Sequence, residues 1–112
     1  MVIPHGVKSS FAIQFQKSSR RLDFAVFTGK DLFLIETNFY TDGGSKLKAT
    51  AGEYKTMFDY WKNDGHIFIW VTDGYGWKTA KRPLEETFNH IDYTLNLEMV
   101  AKGVLEKIIT GR

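Results

Sequence analysis

Three polar side chains interrupt the most apolar stretch of this sequence. The stretch reads RLDFAVFTGKDLFLIETNFY over residues 21–40, and the three are Asp23, Glu36 and Asn38. Gly29 and Lys30 at its middle suit a two-residue hairpin turn that sets Thr28 against Asp31. Counting back from that pair places Asp23 directly opposite Glu36. Directly opposed strand residues have Cβ atoms roughly 4.5–5.5 Å apart, and like charges there are destabilising. Two carboxylates so placed amid Leu, Phe, Ala, Val and Ile require a counter-charge. A bound divalent cation supplies it, because hard cations take oxygen ligands. Asn38 projects on the same side as Glu36, since strand side chains repeat every two residues. Magnesium sites of this kind use one or two carboxylates, waters and a substrate phosphate. Such a metal acidifies a bound water, polarises a phosphoryl oxygen and orients an in-line attack, which is phosphodiester hydrolysis. The competing reading leaves both acids at the sheet rim, solvated or paired with Arg20 or Arg21. Spacing alone does not separate the two.

The elements that must position these residues follow from hydrophobic periodicity. Residues 11–16, FAIQFQ, alternate as a half-buried strand does. Residues 22–28 and 31–38 form the hairpin, apolar on both faces as central strands are. One face is expected to carry Asp23, Ala25, Phe27, Leu32, Leu34, Glu36 and Asn38. The other carries Leu22, Phe24, Val26, Phe33, Ile35, Thr37 and Phe39. The polar trio therefore sits at the end of the hairpin away from its turn. Leu47, Ala51, Tyr54, Phe58 and Trp61 recur at helical spacing and predict a core-facing helix over 46–62, ended by Asn63, Asp64 and Gly65. Residues 66–72, HIFIWVT, read as a buried strand. The helix before it makes a crossover, so this strand runs parallel to 31–38. A glycine-rich loop from Asp73 to Trp77 follows, with Trp77 expected in the core. Then come a short helix starting near Pro83, a strand at 91–95, and a C-terminal helix capped by Asn96 and carrying Leu97, Val100, Val104 and Ile108. The order β–β–β–α–β–α–β–α is that of an α/β fold, a mixed sheet with an antiparallel hairpin first and parallel strands after, flanked by helices.

Composition narrows the function classes. A chain of 112 residues is one domain by length, here 1–112. Its 43% hydrophobic and 15% aromatic content argues against disorder. No apolar run approaches a membrane span, and residues 1–20 lack the apolar core of a signal peptide. Cysteine is absent, which excludes a disulfide framework and a thiolate zinc site. A cytoplasmic protein with no membrane partner is the expectation. The net charge of +2 is too small to mark nucleic-acid binding by itself. Basic residues do gather locally, at Lys17, Arg20 and Arg21, at Lys46 and Lys48, and at Lys78, Lys81 and Arg82. Gly43 and Gly44 next to Lys46 and Lys48 suit a phosphate contact, although the P-loop pattern is missing. His5, His66 and His90 have no metal-ligand spacing.

Longer motifs run through the same elements: LDF at 22–24, LIETNFYTDGGSKLKATAGEYKT from Leu34 to Thr56, FIWVTDGYGW from Phe68 to Trp77, and TAKRPLEETFNHIDY from Thr79 to Tyr93. On these, residues 20–109 closely resemble the C-terminal catalytic region of DpnII/MboI-type restriction endonucleases, members of the PD-(D/E)xK nuclease superfamily. The resemblance implies a restriction-endonuclease-like fold and cleavage of double-stranded DNA at GATC with Mg2+, for which Mn2+ can substitute. It implies that Asp23 and Glu36 bind the metal, and that a metal-bound hydroxide leaves a 5′-phosphate and a 3′-hydroxyl. Cutting both strands needs two active sites, so a homodimer is expected. The superfamily's lysine position is Asn38 here, E-x-N in place of E-x-K. An amide orients a water but carries no positive charge, so Lys46 or Lys48 is expected to supply the ammonium. The expected DNA contacts are Arg20, Arg21, Lys46, Lys48, Tyr75 and Lys78. The family's enzymes are longer, and this chain is expected to be their catalytic core without the N-terminal part. Two other functions stay open. One is a nuclease-fold module that binds DNA without cutting, which the missing lysine favours. The other is a small structure-selective nuclease such as a junction resolvase.

Overall fold

Five strands in sequence order build one sheet in the computed structural model, which describes residues 6–41 and 45–111. Gly43, Gly44 and His5 lie outside the described residues. The strands are β1 (Gly6–Phe15), β2 (Ser18–Phe27), β3 (Leu32–Phe39), β4 (Ile67–Asp73) and β5 (Tyr93–Leu95). β1, β2 and β3 pair antiparallel, while β3, β4 and β5 pair parallel. The mixed α/β sheet expected from the sequence is therefore present. The hairpin turn is as read: Gly29 takes φ 81°, and the Thr28 N–H donates to the Asp31 carbonyl at 3.2 Å. The first strand begins earlier than its alternation predicts. It stops at Phe15 because Gln16 adopts a left-handed φ of 56° in the turn to β2.

Helices cover both faces of the sheet. The first, α1 (Ser45–Asn63), lies on one face with α2 (Lys81–His90) beside it. Leu47, Tyr54, Met57 and Trp61 of α1 bury against Leu34 of β3 and Phe68 and Trp70 of β4. Gly65, at φ 79°, ends the α1 segment, and the His66 N–H returns to the Trp61 carbonyl. Pro83 falls in the first turn of α2, where a missing N–H breaks no helical bond. The opposite face carries Phe33 and Ile35 of β3 and Ile69 and Val71 of β4, alternating with the first set. Over it lie α3 (Leu97–Ala101) and α4 (Val104–Thr110). These two replace the single C-terminal helix expected. Asn96 caps α3 as read, its Oδ1 accepting the Met99 N–H at 2.8 Å, but Gly103 at φ 85° breaks the run.

Leu22 corrects the expected face assignment. It packs in the α1 layer with Ala25 and Leu34, not with Phe24 on the other side. The cause is a local fault in the β1–β2 ladder. Ser9 pairs Phe24 and Phe11 pairs Leu22, but the opposed Ser10 and Asp23 do not pair, and Ser10 has φ 53°. Strand alternation resets across this point, leaving Asp23 and Phe24 exposed between buried Leu22 and Ala25. The 3₁₀ helix Tyr75–Thr79 follows β4, with Trp77 buried as expected. No helix among the described residues is long and apolar enough to cross a membrane.

Candidate active site

Asp23 and Glu36 meet where the β2–β3 ladder ends. Its rungs run from Phe27↔Leu32 to Phe24↔Ile35, so the next register position sets Asp23 against Glu36, as the turn predicted. Beyond that rung, side chains take over from backbone carbonyls. Glu36 Oε1 accepts the Asp23 backbone N–H at 2.7 Å. Asp23 Oδ2 accepts the Thr37 backbone N–H and the Thr37 hydroxyl, each at 2.9 Å. Each carboxylate thus binds the backbone of the opposite strand, which satisfies amides that the separating strands leave free. The expectation of two carboxylates thrust together needs correcting. Glu36 points into the α1 layer and Asp23 toward Thr37, an arrangement that relieves their repulsion.

Glu36 is 5% exposed, and its second oxygen is also held. The Tyr54 hydroxyl donates to Oε2 at 2.9 Å, and Arg20 Nη2 lies 3.5 Å from the same atom. Burial pushes the Glu36 carboxyl above the usual carboxylate range, and the Asp23 charge adds to this. The Asp23 N–H, the Tyr54 hydroxyl and Arg20 pull the other way. Tyr54 comes from the core-facing stripe of α1 and is 2% exposed. Burial first, and then the Glu36 charge, raise its phenol well above the ordinary value, while the nearby Asn38 amide lowers it.

Asn38 does project on the Glu36 side, and its oxygen is bonded. Trp70 Nε1 donates to Asn38 Oδ1 at 2.6 Å. One lone pair of that oxygen is thereby used, and the amide nitrogen is turned away from Trp70. Arg20 reaches Glu53 Oε1 at 3.3 Å as well as Glu36. Arg21 Nη1 donates to the Ser10 carbonyl at 2.6 Å. Both guanidiniums expected on DNA thus have partners within the fold, Arg20 on β3 and α1 and Arg21 across the fault between β1 and β2. Lys48 lines a surface cleft with Lys55, Arg82 and Glu86 on the flank of α1 that faces α2. Lys46 lies seven residues before Glu53 and so on nearly the same side of the helix, the side of Arg20. Tyr75 is 67% exposed, with Lys78 Nζ 5.3 Å above its ring. Asp73 serves the fold: it accepts the Gly74 and Leu97 N–H groups, which hold its carboxyl below the usual range.

Sequence reading missed Tyr54 and Trp70 as site residues. Helical spacing marks Tyr54 as core, which it is. The available signal was its hydroxyl, since a buried tyrosine O–H needs a partner and the α1 stripe faces the strand that carries Glu36.

A family model, DpnII restriction endonuclease, matches residues 2–107. The chain belongs to that family. Curated relatives agree. It is 53% identical over 102 residues to the type II restriction enzyme MjaIII of Methanocaldococcus jannaschii, an overlap covering 88% of this chain and 35% of the relative. To the type II restriction enzyme LlaDCHI of Lactococcus lactis subsp. cremoris it is 45% identical over 108 residues, 91% of this chain and 36% of the relative. To the type II restriction enzyme DpnII of Streptococcus pneumoniae it is 38% identical over 90 residues, 80% and 31%. The chain thus spans about a third of the length of the curated relatives it matches. No solved structure matches it significantly. All the elements placing Asp23, Glu36, Asn38, Tyr54 and Trp70 fall inside the family match.

The donor chemistry suits a divalent cation. Asp23 is exposed, and its described hydrogen bonds fall on Oδ2 alone, which leaves Oδ1 for a ligand. Glu36, opposite it in register, has both oxygens hydrogen-bonded, so it would reach a cation through a remaining lone pair or in place of Arg20. Among the described residues no group of three or more His, Cys, Asp or Glu converges, so waters and a phosphate oxygen would have to complete the shell.

Proposed function

We propose that this chain is the catalytic core of a magnesium-dependent endonuclease that hydrolyses double-stranded DNA at or near GATC and works as a homodimer. The observation that carries this reading is the Asp23–Glu36 opposition at the end of the β2–β3 ladder, in a chain of the DpnII family. Asp23 and Glu36 would hold Mg2+, which, when bound, acidifies a water and offsets charge on the scissile phosphate. Glu36 is kept ionisable and fixed by the Asp23 N–H, Tyr54 and Arg20. Lys46, on the Arg20 side of α1, stabilises the developing charge. Tyr75 and Lys78 stand beyond the carboxyl end of β4, the side of an open α/β sheet where ligands bind, and contact the duplex.

Plasmid digestion with Mg2+, comparing GATC-methylated and unmethylated DNA, tests the reading. Linear product from either plasmid, absent with Glu36→Ala, is expected. Two intact plasmids at high protein concentration would remove the catalytic claim. A binding module without cleavage is the second reading, favoured by the Arg20–Glu36 pair and the bonded Asn38 oxygen. Calorimetric titration with Mn2+ separates the two. Heat that disappears in Glu36→Ala supports the nuclease, and no heat with retained DNA binding supports the module.

A further inference from the structure

Four side chains from three elements, Glu36 included, cluster and make two hydrogen bonds, Trp70 to Asn38 and Tyr54 to Glu36. The first starts at Trp70 of β4, which is wholly buried and whose indole nitrogen can only donate. Its Nε1 lies 2.6 Å from the Asn38 side-chain oxygen, and the donor-only indole fixes which end of the amide faces it. The amide nitrogen of Asn38 must then turn away from Trp70, on the side of β3 that also carries Glu36, where Tyr54 packs on the Trp70 ring and bonds Glu36. Tyr54 has a single proton, which it gives to Glu36 Oε2 at 2.9 Å. Glu36 in turn holds the Asp23 N–H through Oε1 at 2.7 Å. The aromatic members support the cluster from the side. The Tyr54 and Trp70 rings meet edge to face with centroids 4.8 Å apart, and Tyr54 also packs against Phe68.

We infer that the Asn38 amide nitrogen donates to the Tyr54 oxygen, which makes Asn38 a positioning residue, the middle link of a Trp70→Asn38→Tyr54→Glu36 relay that fixes the orientation of the Glu36 carboxylate. The inference rests on the proposed nuclease reading for its metal consequence, but not for the relay itself. Every donor points the same way, from the core toward the carboxylate. Reversal is forbidden at both ends, because an indole cannot accept and a carboxylate cannot donate. The line therefore has one low-energy arrangement, and a carboxylate held in one arrangement is preorganised for a ligand. It also accounts for the amide at position 38. Only a side chain with an acceptor at one end and a donor at the other joins Trp70 to Tyr54 in this direction. Lysine has no acceptor, and aspartate has no donor when ionised.

The test is a double-mutant cycle read in two ways. Mn2+ affinity is measured by calorimetry for the wild-type chain, Tyr54→Phe, Asn38→Ala and the double variant, with thermal unfolding of each recorded without metal. Tyr54→Phe keeps the ring packing and removes only the hydroxyl. Each single change is expected to weaken Mn2+ binding by about tenfold or more, and the double variant to bind no more weakly than Tyr54→Phe alone. Multiplying losses would mean that Asn38 acts on the metal independently of Tyr54, and would overturn the relay. So would unchanged affinity in both single variants. In metal-free protein the Asp23 amide proton reports the Glu36 carboxylate, which it binds directly. It is expected to shift upfield in Tyr54→Phe and in Asn38→Ala, with no further shift on combining them. A stationary Asp23 resonance overturns the relay. If wild type binds no Mn2+, the nuclease reading fails and the amide shifts alone decide the relay.

Discussion

The Glu36 carboxylate grips the backbone N–H of Asp23 at 2.7 Å, while the Asp23 side chain turns away to Thr37. The two acids are opposed in register without competing for the same space. Negative charge is thereby held at one place on a buried sheet at a tolerable electrostatic cost, with Arg20 offsetting it on the α1 side.

A pH dependence follows from the raised Glu36 pKa. The folded state favours the protonated carboxyl, so it binds more protons than the unfolded chain above the ordinary value of 4.5. The contribution of Glu36 to stability is therefore fully present below that value and is lost as pH rises through the folded pKa. Glu36→Gln should flatten this part of the profile and gain stability relative to wild type as pH rises. Metal acts in the opposite direction, because it needs the ionised group and competes with the proton. Mn2+ affinity should start to fall, as pH is lowered, at a higher pH than an ordinary carboxylate would give. Thermal unfolding and calorimetry across about pH 4–8 check both signs.

Asp73 ties the carboxyl end of β4 to α3 through the Leu97 N–H at 3.0 Å and to the following loop through the Gly74 N–H at 2.7 Å. Its lowered pKa means that this stabilisation is present above the ordinary value of 3.8 and is lost as pH falls through the folded one. Asp73→Ala should cost about 1–3 kcal/mol at neutral pH, from two backbone donors left without their charged acceptor. The difference between the variant and wild type should shrink in acid. A constant difference across the acid range would assign the loss to packing instead.

Gly74 sits at φ 119°, and a Cβ there would lie 2.2 Å from the Tyr40 carbonyl oxygen. The same carbonyl accepts the Gly76 N–H at 2.8 Å. Gly74→Ala must push the loop off Tyr40 and take a disfavoured backbone conformation, at a cost of order 1–3 kcal/mol from the backbone alone. The Trp77 indole, bonded to Thr72 Oγ1 at 2.8 Å and packed on Tyr40, is the nearest reporter. Its fluorescence should red-shift as it gains solvent. An unshifted spectrum with full stability would mean the loop absorbs the methyl elsewhere.

Periodicity made most of this architecture legible. The α1 stripe, the β3–α1–β4 crossover and the Gly29-Lys30 turn each depend on local spacing, and each stands within a residue or two of where spacing puts it. The Asp23–Glu36 register follows from the turn alone. What stayed hidden depends on contacts between distant segments. Ser10 unpairs from Asp23 through a backbone fault that no side-chain pattern records, and this moves Leu22 to the other layer. Gly103 stands in a run that keeps its helical apolar spacing, so only its left-handed φ reveals the break between α3 and α4. Tyr54 and Trp70 looked apolar because core spacing is blind to a hydroxyl and an indole N–H. The sequence offers Arg20 as a partner of the acids, and it does reach Glu36, but its bond to Glu53 and that of Arg21 to Ser10 join other elements and leave no local pattern.

Position 38 gives the sharpest test of what the relay demands. Asn38→Lys would turn the E-x-N at positions 36–38 into E-x-K. In this fold the ammonium has no acceptor for the Trp70 indole, which is wholly buried and donates to Asn38 Oδ1 at 2.6 Å. An orphaned buried donor costs about 1–3 kcal/mol, or roughly 4–8 °C in Tm per kcal/mol for a domain of this size. Tyr54 loses its donor at the same time, so Glu36 is less well held. Asn38→Lys should therefore be less stable than wild type and cleave DNA no faster. Adding Trp70→Phe removes the orphaned N–H and should recover part of the lost stability without restoring the link to Tyr54. Unfolding midpoints of the two variants and their plasmid-cleavage rates decide the matter. An Asn38→Lys chain as stable as wild type and faster at cutting would mean that the site wants a lysine, and that the line through Trp70 and Tyr54 is incidental packing.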